Sequence, residues 1–266
     1  MPDPDPRVAT LAERYSADAE AYLEVYSPYL LPFQRTLLRL LNPASARRVL
    51  DLGSGPGAAI PHIRASAPSA FVVAADRAIG MIALAPREVA RVALDAMTLP
   101  FADGAFDVVT MAFVAFHLPD PRAGFAEAAR VLADGGRLGV ATWGEDETIG
   151  AAWSAWDEEL DRHGAPGNVP TGLPHYQSLG TPEALAAPLV QAGFRAIDFH
   201  TERWEYRPSH PEWMAFMSKH VVSDRLDHLD DETRRRCVEA LAARTRELPA
   251  ADLGLESGVL FAVARR

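Results

Sequence analysis

The glycine-rich segment VLDLGSGPG, residues 49–57, is the clearest indication of fold class in this 266-residue chain. Its first residues have the aliphatic character of a buried strand, and Gly53, Gly55 and Gly57 follow on the turn into a helix. Glycines leave room for a ligand to lie against the backbone, and the N-terminus of a helix offers unpaired N–H groups. We therefore predict a strand–turn–helix unit whose turn contacts a small ligand.

The spacing of these glycines leaves two kinds of ligand open. A dinucleotide-binding turn has the pattern G-x-G-x-x-G, whereas this turn is G-x-G-x-G with Ala58 at a position that a relaxed pattern accepts. Asp51 precedes the turn and suits a cationic group, because its carboxylate would repel a pyrophosphate. Asp76 ends the next strand, FVVAAD, where a carboxylate accepts both hydroxyls of a ribose. The ribose contact suits NAD and an adenosyl ligand alike, but Asp51 and the glycine spacing disfavour an NAD(P) oxidoreductase.

Short β-branched runs alternate with alanine-rich helical stretches between residues 47 and 143. This alternation predicts a doubly wound α/β fold with a parallel sheet. The last two strands of the series are FDVVTMAFV (106–114) and GRLGVATW (136–143). Between them, Asp120-Pro121 predicts a helix start and Asp134-Gly135-Gly136 a helix end.

The regions on either side of this core predict further helices and the rest of the sheet. Residues 8–41 read as two helices split at Ser27-Pro28. Beyond residue 143 we predict helices at 149–162, from Thr181-Pro182, at 209–226 and at 230–248, a loop at 163–180, and strands at 194–206 and 258–264. We expect one integrated domain with a helical cap (1–46), a ligand-binding core (47–143) and a part that completes the sheet and inserts lid helices (144–266).

Several motifs in a fixed order identify a family that the chain resembles. They are VLDLGSGPG, VVAADRAIGMI, LDAMTLPFADGAFDVVTM, FHLPDP and EAARVLADGGRLGVATW, all within residues 49–143. Together they resemble the class I S-adenosylmethionine-dependent methyltransferases, in particular the small-molecule branch that includes ubiquinone-type enzymes. The resemblance implies a Rossmann-like, seven-stranded sheet with an antiparallel last strand. It also implies methyl transfer from S-adenosyl-L-methionine to O, N or C of a small organic molecule, natural-product biosynthesis included, with S-adenosyl-L-homocysteine as product.

The resemblance also implies roles for individual residues. Those expected around the methionine part of the cofactor are Asp51, Gly53, Ser54, Gly55, Gly57 and the backbone carbonyl of Met111. Those expected around the adenosyl part are Asp76 at the ribose, Asp95 and the N–H of Ala96 at the adenine, and Arg77 and Met81 beside the base. Simpler readings exist, since Asp76 could cap a helix and Asp95 could form a turn.

Three departures from the family pattern limit what the resemblance implies. Ala78-Ile79 stands where relatives often have Ser-Pro, which weakens the helix cap and should spare the ribose contact. Phe116 stands where relatives commonly carry a second histidine, which puts two-histidine chemistry in doubt and leaves His117 alone. After residue 144 the sequence matches the family pattern only loosely, so the resemblance implies no particular substrate.

Three side chains are candidates for roles beyond cofactor binding. His117 follows a strand at the carboxyl edge of the sheet, where a neutral imidazole could take a proton from a hydroxyl, or where backbone could simply satisfy it. Tyr15 and Tyr22 share a face of the first helix, which relatives use as a cap over the cofactor. Packing against the core is an equally good reading of both tyrosines.

Other aromatic and histidine side chains carry less information. Helix packing is the default reading of Trp153, Trp156, Trp204, Trp213, Phe216 and Met217, with an apolar substrate pocket as the alternative. No metal site is expected, because six histidines are scattered without ligand spacing: His163, His175, His200, His210, His220 and His228.

Composition excludes several classes of partner. Lys+Arg 26 against Asp+Glu 36 gives a net charge of −10, which disfavours nucleic acid and anionic membranes. The single cysteine, Cys237, and the lack of an apolar signal segment favour the cytoplasm. We expect a small-molecule substrate and a monomer or homodimer. Two rival functions remain: use of bound S-adenosylmethionine in a non-methylating cyclisation, rearrangement or hydroxylation, and a non-catalytic regulatory module.

Overall fold

A computed structural model of the chain describes residues 6–167, 178–219 and 225–266. Its α-helices are α1 (Pro6–Ala17), α2 (Ala19–Ala21), α3 (Ser27–Leu41), α4 (Ile60–Ser66), α5 (Ile79–Leu84), α6 (Pro121–Val131), α7 (Ala151–Arg162), α8 (Pro182–Gln191), α9 (His210–Lys219), α10 (Asp231–Thr245) and α11 (Ala250–Leu253). Its strands are β1 (Arg48–Leu52), β2 (Phe71–Asp76), β3 (Ala90–Ala93), β4 (Phe106–Ala112), β5 (Leu132–Ile149), β6 (Arg195–Tyr206) and β7 (Leu255–Arg265).

The strands form one seven-stranded sheet in the order β3-β2-β1-β4-β5-β7-β6. β1 to β5 pair in parallel, and β7 runs antiparallel between β5 and β6. The predicted sheet and its antiparallel last strand are therefore confirmed. β1 lies between β2 and β4, so the strand order reverses at β1, and ligands of open α/β sheets bind at the carboxyl ends of the strands beside such a reversal.

Both faces of the sheet are covered, because successive strand residues point to opposite faces. Val49 of β1 packs in a cluster with Leu37 and Leu41 of α3. The next residue, Leu50, packs in a second cluster with Phe125 of α6. The buried layers on the two sides hold β1 in position, and with it the glycine turn that follows.

Capping residues start two helices where the sequence predicts them. Asp120 accepts the backbone N–H of Arg122 at 3.0 Å, and Thr181 Oγ1 accepts that of Ala184 at 3.2 Å. The predicted end of α6 at Asp134-Gly135-Gly136 is wrong by three residues. Leu132 leaves the helix to pair with Phe106, and β5 begins there with a bulge.

The predicted break at Ser27-Pro28 is wrong in position. The helix is interrupted at Asp18 instead, and the chain remains helical through Ser27-Pro28. Residues Tyr22–Tyr26 form a π-helix, in which the N–H of Ser27 donates to the carbonyl of Tyr22, five residues back. Pro28, which has no N–H to donate, is the second residue of α3 and directly follows this wider turn.

Of the helices after β5, α7, α9, α10 and α11 pack against one another and α9 against the π-helix of the cap, whereas α8 packs against α6 and the sheet. Trp156, Trp213, Phe216 and Met217 are at most 4% exposed, so helix packing is confirmed for them. Most of the predicted loop at 163–180 and residues 220–224 of the predicted helix at 209–226 lie outside the described residues. No helix within the described ranges is long and apolar enough to cross a membrane.

Candidate active site

A cavity of about 140 Å³ opens at the carboxyl ends of β1, β2 and β4. The glycine turn and the end of β2 form one wall, and α1 with the π-helix and α3 cover it. Of the predicted site residues, the structure brings these to its lining: Gly53, Ser54, Gly55, Asp76, Arg77, Met81, Asp95, Ala96, Tyr15, Tyr22 and His117. Asp51, Gly57 and Met111 lie outside the lining.

The glycine turn has a backbone that other residues would strain. Gly53 has φ +72°, and a Cβ there would lie 2.2 Å from Cγ2 of Val114. Gly57 has φ +79°, a Cβ there would lie 2.6 Å from Cδ of Pro86, and Gly57 does not line the cavity. Gly57 thus serves the fold of the turn by close packing, whereas Gly53 and Gly55 face the cavity.

Asp76 connects the end of β2 to the glycine turn. Its Oδ2 accepts the N–H of Gly55 at 2.8 Å, and its Oδ1 accepts the N–H of Ala78 at 2.8 Å. Burial raises the pKa of Asp76, although these backbone hydrogen bonds lower it. Asp76 therefore supports the start of α5, where Ala78 provides no side-chain cap, and still faces the cavity.

Asp51 is a buried carboxylate at the carboxyl end of β1. Its Oδ1 accepts the hydroxyl of Thr110 at 2.6 Å, and within the described part of the chain its buried Oδ2 has no hydrogen-bond partner. Burial raises the pKa of Asp51 to about 6, with the charge of Asp76 adding to the effect. A buried acceptor of this kind needs a donor, and a cation would satisfy it best.

Asp95 forms the turn after β3 and an ion pair at the cavity wall. Its Oδ1 accepts the N–H of Met97 at 2.9 Å, and its Oδ2 lies 3.4 Å from Nη1 of Arg77. Ala96, the next residue, is 8% exposed and also lines the cavity. The turn reading of Asp95 is thus confirmed, and the same residue contributes to the cavity.

The cap rests on α5 at a point that the sequence does not reveal. A Cβ on Gly80 would lie 2.2 Å from the carbonyl oxygen of Ser16, so α1 and α5 touch backbone to backbone. Beside this contact Met81 is 2% exposed, and the rings of Tyr15 and Tyr22 pack against its cluster. The two rings meet edge to face, with centroids 5.8 Å apart. The tyrosines therefore pack against the core and line the cavity at once.

His117 follows β4 in a short 3-10 helix and lines the cavity beneath the cap. Its ring lies edge to face with Tyr15, at a centroid distance of 5.6 Å. Its buried Nδ1 has no hydrogen-bond partner among the described residues. Burial lowers the pKa of His117 to about 4, so the imidazole is neutral at pH 7.

Sequence reasoning missed four further residues of the cavity lining. They are Ser27, Leu30 and Gln34 of α3 and Phe113 after β4. Their signals were the helical spacing of the three α3 residues and, for Phe113, a left-handed backbone (φ +59°) that only the structure reveals.

Comparison with known proteins identifies the family. The model of a family described as "Methyltransferase domain" matches residues 50–140. Malonyl-[acyl-carrier protein] O-methyltransferase from Geobacter sulfurreducens is 30% identical over 225 residues, which are 80% of this chain and 79% of that protein. The chain belongs to the class I methyltransferase family.

Two further comparisons agree with this family. Demethylmenaquinone methyltransferase from Mycolicibacterium vanbaalenii is 42% identical over 109 residues, 41% of this methyltransferase and 47% of that relative, so the match spans about half the relative's length. The fold is similar to that of Haemonchus contortus phosphoethanolamine N-methyltransferase 2 in complex with phosphomonomethylethanolamine and S-adenosylhomocysteine, with a TM-score of 0.57 and 17% identity. That alignment covers 94% of this chain and 57% of the solved one.

The residues of this methyltransferase fit the family's cofactor, S-adenosyl-L-methionine. Asp51 offers an unsatisfied acceptor suited to an ammonium group, and Gly53 and Gly55 present backbone without side chains at the cavity lining. Within the described ranges, no group of three or more His, Cys, Asp or Glu residues is placed to hold a metal ion. His175 and His220 lie outside those ranges.

Proposed function

We propose that this methyltransferase transfers the methyl group of S-adenosyl-L-methionine to an oxygen, nitrogen or carbon atom of a small organic molecule. One observation carries the proposal. The lining of one cavity brings together the turn at Gly53–Gly55, Asp76, Asp95 and His117. Groups suited to an adenosyl ligand therefore lie beside a neutral base and an apolar wall.

Each part of the cofactor has a matching group. The ammonium pairs with Asp51, whose buried Oδ2 needs a donor and which lies just outside the cavity lining, before Gly53, Ser54 and Gly55 in the chain. The carbonyl of Met111 is a second acceptor in the proposal, although Met111 itself is fully buried outside the cavity lining.

Asp76 and Asp95 serve the ribose and the adenine in the same proposal. The oxygens of Asp76 already accept two backbone N–H groups, and a carboxylate has lone pairs left for the ribose hydroxyls. Asp95 accepts from the adenine amino group and the N–H of Ala96 donates to a ring nitrogen. Arg77 and Met81 lie beside the base.

The protein's main contribution to such a reaction is alignment. When bound, S-adenosyl-L-methionine supplies an electrophilic methyl group on a sulfonium, so the nucleophile must be held in line with it. Tyr15, Tyr22 and Met81 cover the cavity and exclude water that would compete with the acceptor. His117 Nδ1 takes the proton of an oxygen acceptor, because a phenol with a pKa near 10 gains from a base. A carbon or amine acceptor does not require this step.

The surroundings of the reaction follow from charge and composition. The net charge of −10 supports a small-molecule acceptor and opposes RNA or DNA. One cysteine in 266 residues supports a reducing, cytoplasmic location. We propose a monomer or homodimer.

Binding and product balance test the proposal together. Calorimetric titration should give saturable binding of S-adenosyl-L-homocysteine and no binding of NADH; the reverse result would replace the assignment with an oxidoreductase. Mass spectrometry of a reaction with a panel of phenol, amine and activated-carbon acceptors should show methylated product and S-adenosyl-L-homocysteine in equal amounts. A product formed without equimolar S-adenosyl-L-homocysteine would instead favour a non-methylating reaction.

A further inference from the structure

Two side chains of α3 that line the cavity each carry a buried polar atom with no partner among the described residues. These atoms are Ser27 Oγ and Gln34 Oε1. Ser27 as a whole is 5% exposed. Buried polar atoms are normally paired, because leaving one unsatisfied is costly. A ligand in the cavity is the partner that would satisfy both.

The two atoms belong to one face of one helix. Ser27, Leu30 and Gln34 stand at positions i, i+3 and i+7 of α3, so they follow each other along the same side. Seven residues of α-helix rise about 10 Å. The wall therefore presents a polar group, an apolar surface at Leu30 and a second polar group, in that order.

The lack of charge on this wall selects against anionic ligands. Ser27, Leu30, Gln34 and Phe113 carry no charge. Arg77, which also lines the cavity, lies 3.4 Å from the carboxylate of Asp95. An anionic ligand seated on α3 would thus face no cation on this wall, and its desolvation would go uncompensated.

We propose that Ser27 and Gln34 form a subsite for an uncharged, apolar methyl acceptor that carries a hydroxyl group at each end. Gln34 Oε1 accepts a hydrogen bond from one hydroxyl, and Ser27 Oγ bonds to the other. The apolar body of the acceptor lies over Leu30 and faces Phe113. The assignment rests on the proposed function, since the bound molecule is the acceptor only if the cofactor lies beside it.

The experiment uses a flat two-ring probe of this shape. Protein loaded with S-adenosyl-L-homocysteine is titrated calorimetrically with 2,6-dihydroxynaphthalene and with naphthalene-2,6-dicarboxylate, which has the same body and two negative charges. The variants are Ser27→Ala and Gln34→Leu. Their matched controls are Ser66→Ala at the end of α4 and Gln191→Leu at the end of α8, neither of which lines the cavity.

We expect the diol to bind wild-type protein and each α3 variant to weaken it about 3- to 10-fold. The controls should leave its Kd unchanged, the dicarboxylate should bind at least 10-fold more weakly, and all variants should retain affinity for S-adenosyl-L-homocysteine. Unchanged diol affinity in both α3 variants, no diol binding to wild type, or equal binding of the dicarboxylate would overturn the subsite. If Gln34→Leu does not fold, Gln34→Asn carries the same expectation.

The two proposals can fail separately. If wild-type protein does not bind S-adenosyl-L-homocysteine, the proposed function fails, and the same diol titrations on the unloaded protein decide the subsite. If S-adenosyl-L-homocysteine binds and the Kd of the diol is the same for wild type, Ser27→Ala and Gln34→Leu, the subsite fails and the proposed function stands.

Discussion

The carboxylate of Asp76 holds the glycine turn in place, since its Oδ2 accepts the N–H of Gly55 at 2.8 Å. Asp76→Ala should therefore weaken S-adenosyl-L-homocysteine binding about 10- to 100-fold, as expected for hydrogen bonds to a charged group. Titration calorimetry measures this. Asp107→Ala is a matched control, because Asp107 accepts the N–H groups of Arg47 and Arg48 at the opposite end of β1. It should lower the Tm and leave the Kd within twofold; an equal loss of binding in both variants would show that Asp76 acts only through stability.

Asp51 should make cofactor binding depend on pH. Its pKa is raised by burial from 3.8 to about 6, so the carboxylate that pairs with an ammonium becomes protonated as the pH falls below 6. Affinity for S-adenosyl-L-homocysteine should fall up to about tenfold from pH 7 to pH 5. In Asp51→Asn the affinity should be low at both pH values. A wild-type affinity that does not change over this range would contradict the pairing.

The stability of the unliganded protein should show the opposite trend for the same group. A folded-state pKa above the unfolded value means that Asp51 contributes stability below about pH 4, which is lost as the pH rises through 6. The loss amounts to at most about 3 kcal/mol. Asp51→Asn should raise the free energy of unfolding at pH 7 by up to this amount, because an amide still accepts from Thr110. Urea unfolding at pH 4 and pH 7 checks the sign.

Gly53→Ala should destabilise the fold more than an alanine at another left-handed glycine. Gly135 has φ +73° with no atom within 4 Å of an added Cβ, whereas Gly53 has φ +72° and meets Val114. Gly135→Ala measures the backbone penalty alone, about 1–2 kcal/mol. Gly53→Ala should cost a further 1–3 kcal/mol from overpacking, of which Val114→Ala in the same chain restores a part. Equal unfolding free energies of the two single variants would show that the contact with Val114 adds no destabilisation.

Gly80→Ala should break the close backbone contact between α1 of the cap and α5. A methyl group there meets the backbone of Ser16, which cannot yield as a flexible side chain would. We expect weaker S-adenosyl-L-homocysteine binding and faster amide hydrogen exchange in α1, with β1 and β4 unaffected. Gly167→Ala is the control, because an added Cβ there meets no atom within 4 Å. Wild-type exchange rates in α1 of Gly80→Ala would sink the prediction.

His117→Ala should lower the turnover of an oxygen acceptor by about 10²- to 10⁴-fold and leave S-adenosyl-L-homocysteine affinity near normal. Because burial lowers the pKa of His117 to about 4, the wild-type rate should show no titration of this group between pH 6 and pH 8. Production of S-adenosyl-L-homocysteine measures the rate, with His200→Ala on the exposed part of β6 as control. An unchanged rate would remove the base role.

The local parts of the fold could be predicted from the sequence. The glycine turn, the N-caps at Asp120 and Thr181, and the carboxylate at the end of β2 each depend on residues close together in the chain. Their physics is that of neighbouring backbone groups, which a short motif specifies. The family resemblance then supplied the seven-stranded sheet with its antiparallel last strand, which no local pattern contains; the strand order came only from the structure.

The rest required contacts between distant elements. The contact of Gly80 with Ser16 exists only because α1 crosses α5, and an ordinary helical glycine gives no sign of it. Ser27 and Gln34 look like surface polar residues until the cavity is placed beside them. The helix end at Val131 was missed because pairing of Leu132 with Phe106 overrides the glycines that follow.

The position of β7 has a consequence for how the nascent chain folds. Within the sheet β6 pairs with β7, which the ribosome makes later, whereas β1 to β5 and the glycine turn are made first. The parallel half can therefore assemble during translation, while the edge strand waits unpaired. Closing that last antiparallel pair joins residues far apart in sequence, a step that slows folding. The glycine turn is thus among the earliest parts of the protein to form, and the far edge of the sheet among the last.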